Sequence, residues 1–355
     1  MRVGILTSGG DCQALNATMR GLALTLYRNV KDVEIIGFID GYKGLMYEKY
    51  KKMKPKDFYD ILNVGGSILG NSRCPFKRMR IIENGFDKVK AMKNTYKKLE
   101  LDCLVVLGGN GSIKNANMLS QEGLNVIALP KTIDNDAWGT DYTFGYSSAT
   151  AIATRYLDEI KTTAASHSRV FVIEVMGHKV GHICLSAGIA AGADVILLPE
   201  IPYDIKVVAK KVKETLKNEK NYAIIACAEG AISEADALMK RKDYKAKALA
   251  RNGRSVAYEV ADELSQEIDA EIRVSCIGHA QRGGNPNSYD REISTRFGVE
   301  GARLIIKKHY GEYVVLQGNH VTHIPLEATA GKLKYVDTEG EIVQSAKLVG
   351  ISFGE

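Results

Sequence analysis

Short apolar runs rich in valine and isoleucine recur along the chain, and segments of helical character separate them. Several runs are apolar at every position, as expected for parallel strands covered on both faces. Alternating strands and helices predict an open, doubly wound α/β fold with a largely parallel sheet. The predicted strands are 2–7, 34–39, 103–108, 125–130, 169–176, 194–199, 222–228, 272–278 and 312–318. The predicted helices are 14–28, 113–121, 147–163, 204–218, 255–268 and 291–308.

The length of 355 residues suits two packed domains or one large domain. The chain has 34 glycines but only 7 prolines, which fits many tight strand-to-helix turns and no proline-rich linker. The best candidate for a domain boundary is therefore 140–148 (TDYTFGYSS), after which a new series of helices and strands begins.

The distribution of charge along the chain indicates which classes of binding partner to expect. The net charge is +6, a mild excess that suits anionic small substrates. The basic clusters are short: KRMR at 77–80, and KYKKMKPK at 49–56, which has the character of a solvated helix face or loop. Neither has the interleaved aromatic residues that stack on bases, so we expect no nucleic-acid partner. No run approaches the length of a membrane span, and the N-terminus does not resemble a signal peptide, so we expect a cytoplasmic protein without membrane association.

Six cysteines lie far apart, with no CxxC pair and no histidine at metal-ligand spacing. We therefore expect free thiols in a reducing compartment. Cys103, Cys227 and Cys276 fall inside strand-like runs, where a thiol behaves as a small hydrophobic group, so we expect them to be buried.

Glycines and charged side chains gather directly after the predicted strands. In open α/β sheets, ligands bind beyond the carboxyl ends of the strands, so these turns are the informative segments. They are SGGDCQALN (8–16), GNGS (109–112), KTIDND (131–136), GHKVGH (177–182), EGA (229–231) and HAQRGGNP (279–286). Asn and Asp in a loop can serve turn geometry alone, which is the simpler interpretation of KTIDND.

Two of these turns are glycine-rich and lead into helices. Backbone N–H groups at such a helix N-terminus can bind phosphate, although each turn alone could be only geometry. Phosphoryl transfer needs phosphate positioning, cations and a carboxylate that accepts a proton, and the strand ends offer all three. Candidate cations are Arg73, Arg169, Arg273 and Arg282. Arg273 lies within the apolar run IRVSCIG, which predicts a buried guanidinium.

The chain resembles the phosphofructokinases, which transfer a phosphoryl group to the 1-hydroxyl of fructose 6-phosphate. The matching motifs run in order over about 300 residues, and the pair TIDND and GHxQRGG is highly specific. The motifs are ILTSGGD (5–11), GGSILGNSR (65–73), LGGNGS (107–112), TIDND (132–136), GTDYTFGYSSA (139–149), SHSRVFVIEVMG (166–177), PE (199–200), EGA (229–231) and GHAQRGGNPNSYDR (278–291).

The resemblance assigns catalytic and donor-binding roles. Asp134 is implied as the general base, Thr132 as a contact of the transferring phosphoryl group, and Arg73 as a stabiliser of transition-state charge. A magnesium ion would involve Asn110 and Asp136. The implied donor-binding residues are Gly9, Arg73, Cys74, Gly109, Asn110, Gly111, Ser112 and Lys131.

The resemblance also assigns the acceptor site and the assembly. Two domains are implied: a larger donor-binding domain, 1–140 plus about 255–308, and a smaller fructose 6-phosphate-binding domain, 141–254 plus about 309–355. Arg169 and Arg273 are implied to reach a neighbouring subunit's site in a homo-oligomer, expected as a homotetramer. The implied substrate-binding residues are Thr132, Ile133, Asp134, Arg169, Met176, Gly177, His178, Glu229, Arg273, His279 and Arg282.

The chain departs from the family pattern in three respects. Asn110 stands where the family has its magnesium aspartate in GGDGS, so one negative charge is missing. His178 stands where the family has the arginine of MGR, which weakens the expected stabilisation of the transferring phosphoryl group. Leu24 and Pro55 replace two allosteric arginines of the bacterial ATP enzymes and only Arg20 is kept, so we do not expect the usual activation by ADP.

Two features leave the phosphoryl donor open. Pyrophosphate users carry an aspartate at the position of Gly111, so glycine here favours ATP. Lys131 is typical of pyrophosphate users but also occurs in some ATP enzymes, so pyrophosphate remains the alternative donor. A non-catalytic regulatory subunit is a further alternative because of Asn110 and His178, although it would be expected to lack Asp134 or Arg73. NAD kinases and lipid kinases share the glycine loop but lack TIDND and GHxQRGG.

Overall fold

The computed structural model describes residues 1–218, 220–329 and 331–355. Its chain divides into two compact units: Met1–Ser148 with Arg282–Lys334, and Ala149–Gln281 with Tyr335–Glu355. None of the helices in the described ranges combines the length and apolarity that a membrane crossing requires.

The first unit is built on a seven-stranded sheet in the order β11-β10-β5-β4-β1-β2-β3. The inner strands pair in parallel, and the two edge strands, β3 and β11, pair antiparallel. Its strands are β1 (Arg2–Ser8), β2 (Glu34–Phe38), β3 (Tyr50–Met53), β4 (Cys103–Gly108), β5 (Val126–Pro130), β10 (Glu312–Gln317) and β11 (His320–Pro325). Its helices are α1 (Leu15–Asn29), α2 (Tyr42–Met46), α3 (Phe76–Met79), α4 (Lys88–Lys98), α5 (Asn110–Gln121) and α12 (Ser288–Ile306).

The second unit is built on a four-stranded parallel sheet in the order β7-β8-β6-β9. Its strands are β6 (Val170–Val175), β7 (Val195–Leu197), β8 (Ala223–Ala228) and β9 (Ile272–Cys276). Its helices are α7 (His182–Ala190), α8 (Ile205–Asn218), α9 (Glu234–Ala237), α10 (Arg241–Ala250), α11 (Val256–Leu264) and α13 (Glu341–Leu348). Helix α6 (Tyr146–His167) carries the chain from the first unit into the second, and short 3₁₀ turns occupy Pro55–Phe58, Gly278–Arg282 and Leu326–Thr329.

The central strands are fully buried, which explains their uniformly apolar sequences. Every residue of β4 and of β5 is buried, and so is every residue of β8. A strand that is covered on both faces has no polar face, and its sequence loses the alternation of a half-exposed strand. The predicted α/β fold with two largely parallel sheets is confirmed, and all nine predicted strands are present.

The division of the chain differs from the predicted domain bounds in three places, and the shortest is 141–148, which belongs to the first unit. Strand β9 and the helix before it belong to the second unit because β9 pairs with β6. Strands β10 and β11 belong to the first unit because β10 pairs with β5. Sheet pairing joins strands that are distant in sequence, so the linear pattern could not assign these segments.

Two local predictions were wrong. The segment 49–56 was expected to be a helix face or loop, but it contains the edge strand β3, whose first three residues are exposed. Cys276, expected to be buried, is exposed at the end of β9, whereas Cys103 and Cys227 are buried as predicted. All six cysteines are free thiols.

Candidate active site

The loop after β5 is held in a fixed shape by its asparagine. Asn135 adopts a left-handed backbone conformation (φ 54°), and its side-chain oxygen accepts a hydrogen bond from the Thr143 amide at 3.1 Å. The Thr143 hydroxyl donates to the Thr132 carbonyl oxygen at 2.7 Å, and the Asp134 amide donates to Thr132 Oγ1 at 3.1 Å. Turn chemistry therefore explains Asn135, but it leaves the two aspartate side chains without a structural task.

Both aspartates have a buried carboxylate oxygen that lacks a hydrogen-bond partner among the described residues. These atoms are Asp134 Oδ1 and Asp136 Oδ1. Asp136 is only 7 % exposed, and its burial, followed by the negative charge of Asp134, raises its pKa to about 6. A buried carboxylate without a partner is costly. The pair is therefore suited to binding a cation or accepting a proton.

Two glycine turns stand at the carboxyl ends of β1 and β4. Gly9 has a positive φ of 88°, and its amide donates to the Ser72 carbonyl oxygen at 3.0 Å, which joins this turn to the segment before Arg73. Gly109 precedes α5, whose N-terminus has no side-chain cap and no acidic residue in its first turn. Gly111, in that first turn, faces open space. The uncapped N-terminus leaves its backbone N–H groups and positive dipole available to an anion.

Lys131 places a buried ammonium group at these glycine turns. It is 2 % exposed, and its Nζ donates to the Gly10 carbonyl oxygen. A methyl group added to Gly9 would lie 3.4 Å from Lys131 Nζ and 3.6 Å from Ser112 Oγ. Burial lowers the pKa of Lys131, and the positive charge of Arg282 acts in the same direction. The ammonium group is thus poorly compensated and suited to an anionic ligand.

Arg282 lies against the first glycine turn. Its Nη1 donates to the Asp11 carbonyl oxygen at 2.8 Å, and its buried Nε has no hydrogen-bond partner among the described residues. A side chain at position 10 would meet Arg282 Nη1 at 2.6 Å, which explains the need for Gly10. The resemblance assigns Arg282 to the sugar phosphate, whereas its contacts place it beside the donor turn of the first unit.

A cavity of about 250 Å³ opens next to Arg73 and Cys74. Its wall includes the side chains of Met46, Tyr47 and Met79 and the cations Arg73 and Arg78. Arg73 is exposed, and the Cys74 carbonyl oxygen accepts a hydrogen bond from Asn115 Nδ2 of α5 at 2.9 Å. The segment 72–74 thus links this partly apolar cavity to the two glycine turns.

The residues implied for magnesium are present in the first unit. Asn110 donates through Nδ2 to the Lys332 carbonyl oxygen at 2.8 Å, an arrangement that uses the amide nitrogen and leaves the amide oxygen to a ligand. Asp136 contributes its unpartnered Oδ1. Within the described ranges, no group of three or more His, Cys, Asp or Glu side chains could hold a metal. A hard cation here would therefore combine few protein oxygens with water or phosphate oxygens, which is typical of Mg²⁺.

In the second unit, Glu229 is held by the loop after β6. Its Oε1 accepts hydrogen bonds from the amides of Gly177, at 3.3 Å, and His178. Met176, the first residue of this loop, is partly buried, and His178 is exposed with a positive φ of 56°. Glu229 and His178 line a cavity of about 330 Å³. The geometry keeps the second Glu229 oxygen available to a hydroxyl group of a ligand.

Four other predicted residues lie outside these groups. Arg273 is exposed, contrary to the prediction, because β9 is an edge strand. It pairs with Glu271, which also accepts from Arg169 at 2.7 Å. His279 is exposed. Ile133 is fully buried, so only its backbone can meet a ligand.

Sequence reasoning missed Lys334. Its Nζ donates to the carbonyl oxygens of Thr140, at 2.9 Å, and Asp141, at 2.8 Å. Its amide donates to the Asp136 carbonyl oxygen at 2.9 Å, and burial lowers its pKa to about 8. No local pattern marks this lysine, which lies about 200 positions after the loop that it supports.

Comparison with known proteins gives a consistent result. The phosphofructokinase family model matches residues 2–305. A protein of Spirochaeta thermophila named ATP-dependent 6-phosphofructokinase is 46% identical, covering 99% of this chain and 97% of that protein. ATP-dependent 6-phosphofructokinase 3 of Bacteroides thetaiotaomicron is 42% identical over the whole of both chains.

Solved structures agree on the fold. Phosphofructokinase from Saccharomyces cerevisiae superposes with a TM-score of 0.80 at 28% identity, covering 93% of this chain. This chain spans only 45% of that yeast chain. Pyrophosphate-dependent phosphofructokinase from Nitrosospira multiformis superposes with a TM-score of 0.82, covering 99% of this chain and 92% of that chain. Its sequence is 19% identical to this chain, so this likeness shows the fold alone.

Proposed function

The chain belongs to the phosphofructokinase family, and from this premise we propose that it transfers the γ-phosphoryl group of ATP to the 1-hydroxyl of fructose 6-phosphate. The products are fructose 1,6-bisphosphate and ADP, in glycolysis in the cytoplasm. The observation that carries the proposal is the unpartnered carboxylate oxygen of Asp134, on the strand-end loop that also bears Lys131.

Asp134 is proposed as the general base. Its carboxylate accepts the proton of the 1-hydroxyl as that oxygen attacks the terminal phosphorus atom and the bond to the leaving phosphate breaks. Asn135 fixes the loop through the Thr143 contacts, so the carboxylate is positioned before the substrate binds. Thr132, whose side chain lies beneath Gly109, is proposed to contact the transferring phosphoryl group.

The donor phosphates are proposed to bind at the glycine turns. The N-terminus of α5 and the ammonium group of Lys131 supply positive potential there, and Arg282 adds a guanidinium group. Arg73 is exposed and forms no ion pair within the described ranges. Its guanidinium group is therefore available to stabilise the negative charge that develops on the leaving oxygen.

Two observations favour ATP over pyrophosphate. Gly111 faces open space, so no carboxylate repels an α-phosphate. The 250 Å³ cavity beside Arg73 offers Met46, Tyr47 and Met79 to a nucleoside, a group that pyrophosphate lacks. The names of the bacterial relatives support the same choice. Lys131 is the feature that would suit pyrophosphate.

Magnesium is proposed to be held by Asp136 and the Asn110 amide oxygen. A bound Mg²⁺ would neutralise negative charge on the donor phosphates. The buried, unpartnered oxygen of Asp136 supports this assignment because such a carboxylate gains most from a cation.

The second unit is proposed to bind the acceptor. Glu229, held by the loop amides, would accept sugar hydroxyl groups, with Met176, Gly177 and His279 as further contacts. Arg169 and Arg273, which converge on Glu271, are proposed to serve a neighbouring subunit's sugar phosphate in a homotetramer.

A coupled spectrophotometric assay tests the proposal. The purified protein is given fructose 6-phosphate and Mg²⁺ with either ATP or pyrophosphate, and product formation is followed for both. We expect turnover with ATP at least about tenfold more efficient than with pyrophosphate. Faster turnover with pyrophosphate would reverse the donor assignment. Absence of turnover with both would support a non-catalytic regulatory subunit.

A further inference from the structure

In the wall of the cavity of the second unit, a histidine stands at a position where the resemblance implies an arginine. His178 occupies the position of the arginine in the family's MGR motif, and it lines the 330 Å³ cavity together with Glu229. Imidazole is shorter than guanidinium and cannot form its bidentate contact with a phosphate group. The cavity would therefore be short of one cation for the phosphoryl group that the resemblance assigns to this position.

The loop between α10 and α11 brings two arginines into the wall of the same cavity. Arg251 and Arg254 both line it, and so does Ser255, the N-cap of α11. Arg251 is already engaged, because it forms a two-pronged pair with Glu259 at 2.7 and 2.8 Å. Its side chain is only 13 % exposed. Arg251 therefore holds the loop on α11 and is not available to a ligand.

Arg254 is available. Its side chain is 52 % exposed, and its only ion pair among the described residues is with Asp262 at 3.0 Å, on a side chain that is 62 % exposed. Pairs this exposed contribute only about 0–1 kcal/mol, so a phosphate group can displace the carboxylate at little cost. The guanidinium also lies 4.8 Å from the centre of the Tyr258 ring, which restricts its orientation.

The carboxylates that line the cavity do not neutralise Arg254. Glu174 accepts a hydrogen bond from Ser255 Oγ, and its burial raises its pKa. Glu229 is occupied on one oxygen by the amides of Gly177 and His178. The lining of the cavity thus combines carboxylate oxygens that can accept from hydroxyl groups with Arg254, whose exposed ion pair with Asp262 a phosphate group can replace, as a sugar phosphate requires.

We propose that Arg254 binds an anionic oxygen of the phosphorylated sugar and supplies the guanidinium group that is missing at position 178. This inference rests on the proposed function, because it names a further residue of the acceptor site.

The test compares Arg254→Gln with Arg241→Gln, which removes an exposed arginine of α10 that does not line the cavity. We expect Arg254→Gln to lower kcat/KM for fructose 6-phosphate at least about tenfold and to leave the KM for ATP within about twofold. Arg254→Lys should lower kcat/KM less than Arg254→Gln does, because lysine keeps the positive charge but cannot form the two-pronged contact of a guanidinium group. Arg241→Gln should match the unmodified protein.

Rescue gives the sharper result. Adding His178→Arg to Arg254→Gln should recover most of the lost kcat/KM, because it restores the family's own arginine in the same cavity. An unchanged kcat/KM in Arg254→Gln, an equal loss in Arg241→Gln, or a failure of the rescue would overturn the inference.

Calorimetric titration with fructose 6-phosphate separates this inference from the proposed function, since it needs no turnover. Weaker binding by Arg254→Gln than by the unmodified protein would support the role of Arg254 even if the assay shows no kinase activity. Equal affinity of the two proteins would contradict it even if the kinase activity is present.

Discussion

The loop TIDND (132–136) contains residues that fix its shape and residues that are available to a ligand. Thr132 and Asn135 shape the loop through hydrogen bonds. Asp134 and Asp136 each present an oxygen that has no hydrogen-bond partner among the residues that the structure describes. Asp136 is the more deeply buried and has the raised pKa. Within this one loop, two residues thus fix the backbone shape and two others are available to a ligand.

Asp134→Asn should abolish most of the turnover and leave binding intact. The amide cannot accept the hydroxyl proton, and general base catalysis is worth about 10²- to 10⁴-fold. We expect kcat to fall by this factor and the affinity for fructose 6-phosphate, measured by calorimetry, to stay within a few-fold. The exposed Asp60→Asn is the control and should leave kcat unchanged. A kcat near that of the unmodified protein would remove Asp134 from the base role.

Gly111→Asp should impair ATP use selectively. A side chain at this position meets no other atom, so the variant should fold normally while its carboxylate repels the α-phosphate. We expect kcat/KM for ATP to fall about 10- to 100-fold. Gly111→Ala is the matched control, because it adds the Cβ without the charge, and it should stay within a few-fold. Equal ATP kinetics for the two variants would show that space at 111 does not select the donor.

Asp136 should reduce stability as the pH rises. In the folded chain the pKa of its carboxyl group is about 6, whereas in the unfolded chain it is near the ordinary aspartate value of 3.8. The folded state therefore binds more protons between these values, and the free energy of unfolding falls by up to about 3 kcal/mol as the pH rises through this window. Asp136→Asn lacks this titration and should be more stable than the unmodified protein by about 1–3 kcal/mol at pH 7 without magnesium.

Urea unfolding at pH 5 and pH 7.5 measures this difference. The advantage of Asp136→Asn should be larger at pH 7.5, and millimolar Mg²⁺ should stabilise the unmodified protein more than the variant. A variant less stable at both pH values would contradict the burial argument.

The strands that sequence reasoning missed are both antiparallel edges. β3 has exposed residues at three of its four positions, and β11 is exposed or partly exposed throughout. An edge strand needs no continuous apolar run because one of its sides faces solvent. The buried inner strands do have a continuous apolar run, which explains why all of them could be predicted.

The start of α6 depends on one buried carboxylate from α12. Asp290 is fully buried, and its oxygens accept hydrogen bonds from Tyr142 Oη at 2.7 Å, Gly145 N at 3.0 Å and Ser148 N at 2.8 Å. The negative charge also lies at the positive end of the helix dipole. This contact fixes the segment 140–148, which in turn supports Asn135.

Asp290→Asn should therefore destabilise the protein by about 2–4 kcal/mol, because an amide has one acceptor oxygen and turns an N–H group toward existing donors. Thermal and urea unfolding measure the loss. The exposed Asp269→Asn is the control and should change stability by no more than about 0.5 kcal/mol. A change as small as that of the control would show that the network is not important for stability.

The two units carry different parts of the proposed reaction. Donor turns and the Asp134 loop belong to the first unit, and the Glu229 cavity belongs to the second. Within the described ranges, the side chains of Arg169 and Arg273 form ion pairs only with Glu271, beside the edge strand β9 of the second sheet. The proposed oligomer gives these two arginines a function outside their own chain.

Mixed oligomers should recover activity from inactive parents. Asp134→Asn and Arg169→Ala/Arg273→Ala should each be nearly inactive alone. A site that combines Asp134 of one subunit with the arginines of a neighbour is intact in some mixed pairs. Coexpression in equal amounts should restore about a quarter of the unmodified activity. Activity no higher than that of the parents would contradict a shared site.

The amino-acid sequence by itself determined the α/β class, the buried strands and the motif of the proposed catalytic loop. A strand that is buried on both faces has a continuous apolar sequence, and a motif has a fixed order of residues. Both can therefore be recognised within a short stretch of sequence. Only the tertiary structure placed Lys334 beneath the Asp136 loop, Arg282 against Gly10, and Arg254 beside Glu229. The first two contacts join residues that are about 200 or more positions apart. All three depend on sheet order and on how helices pack, and no local propensity encodes these.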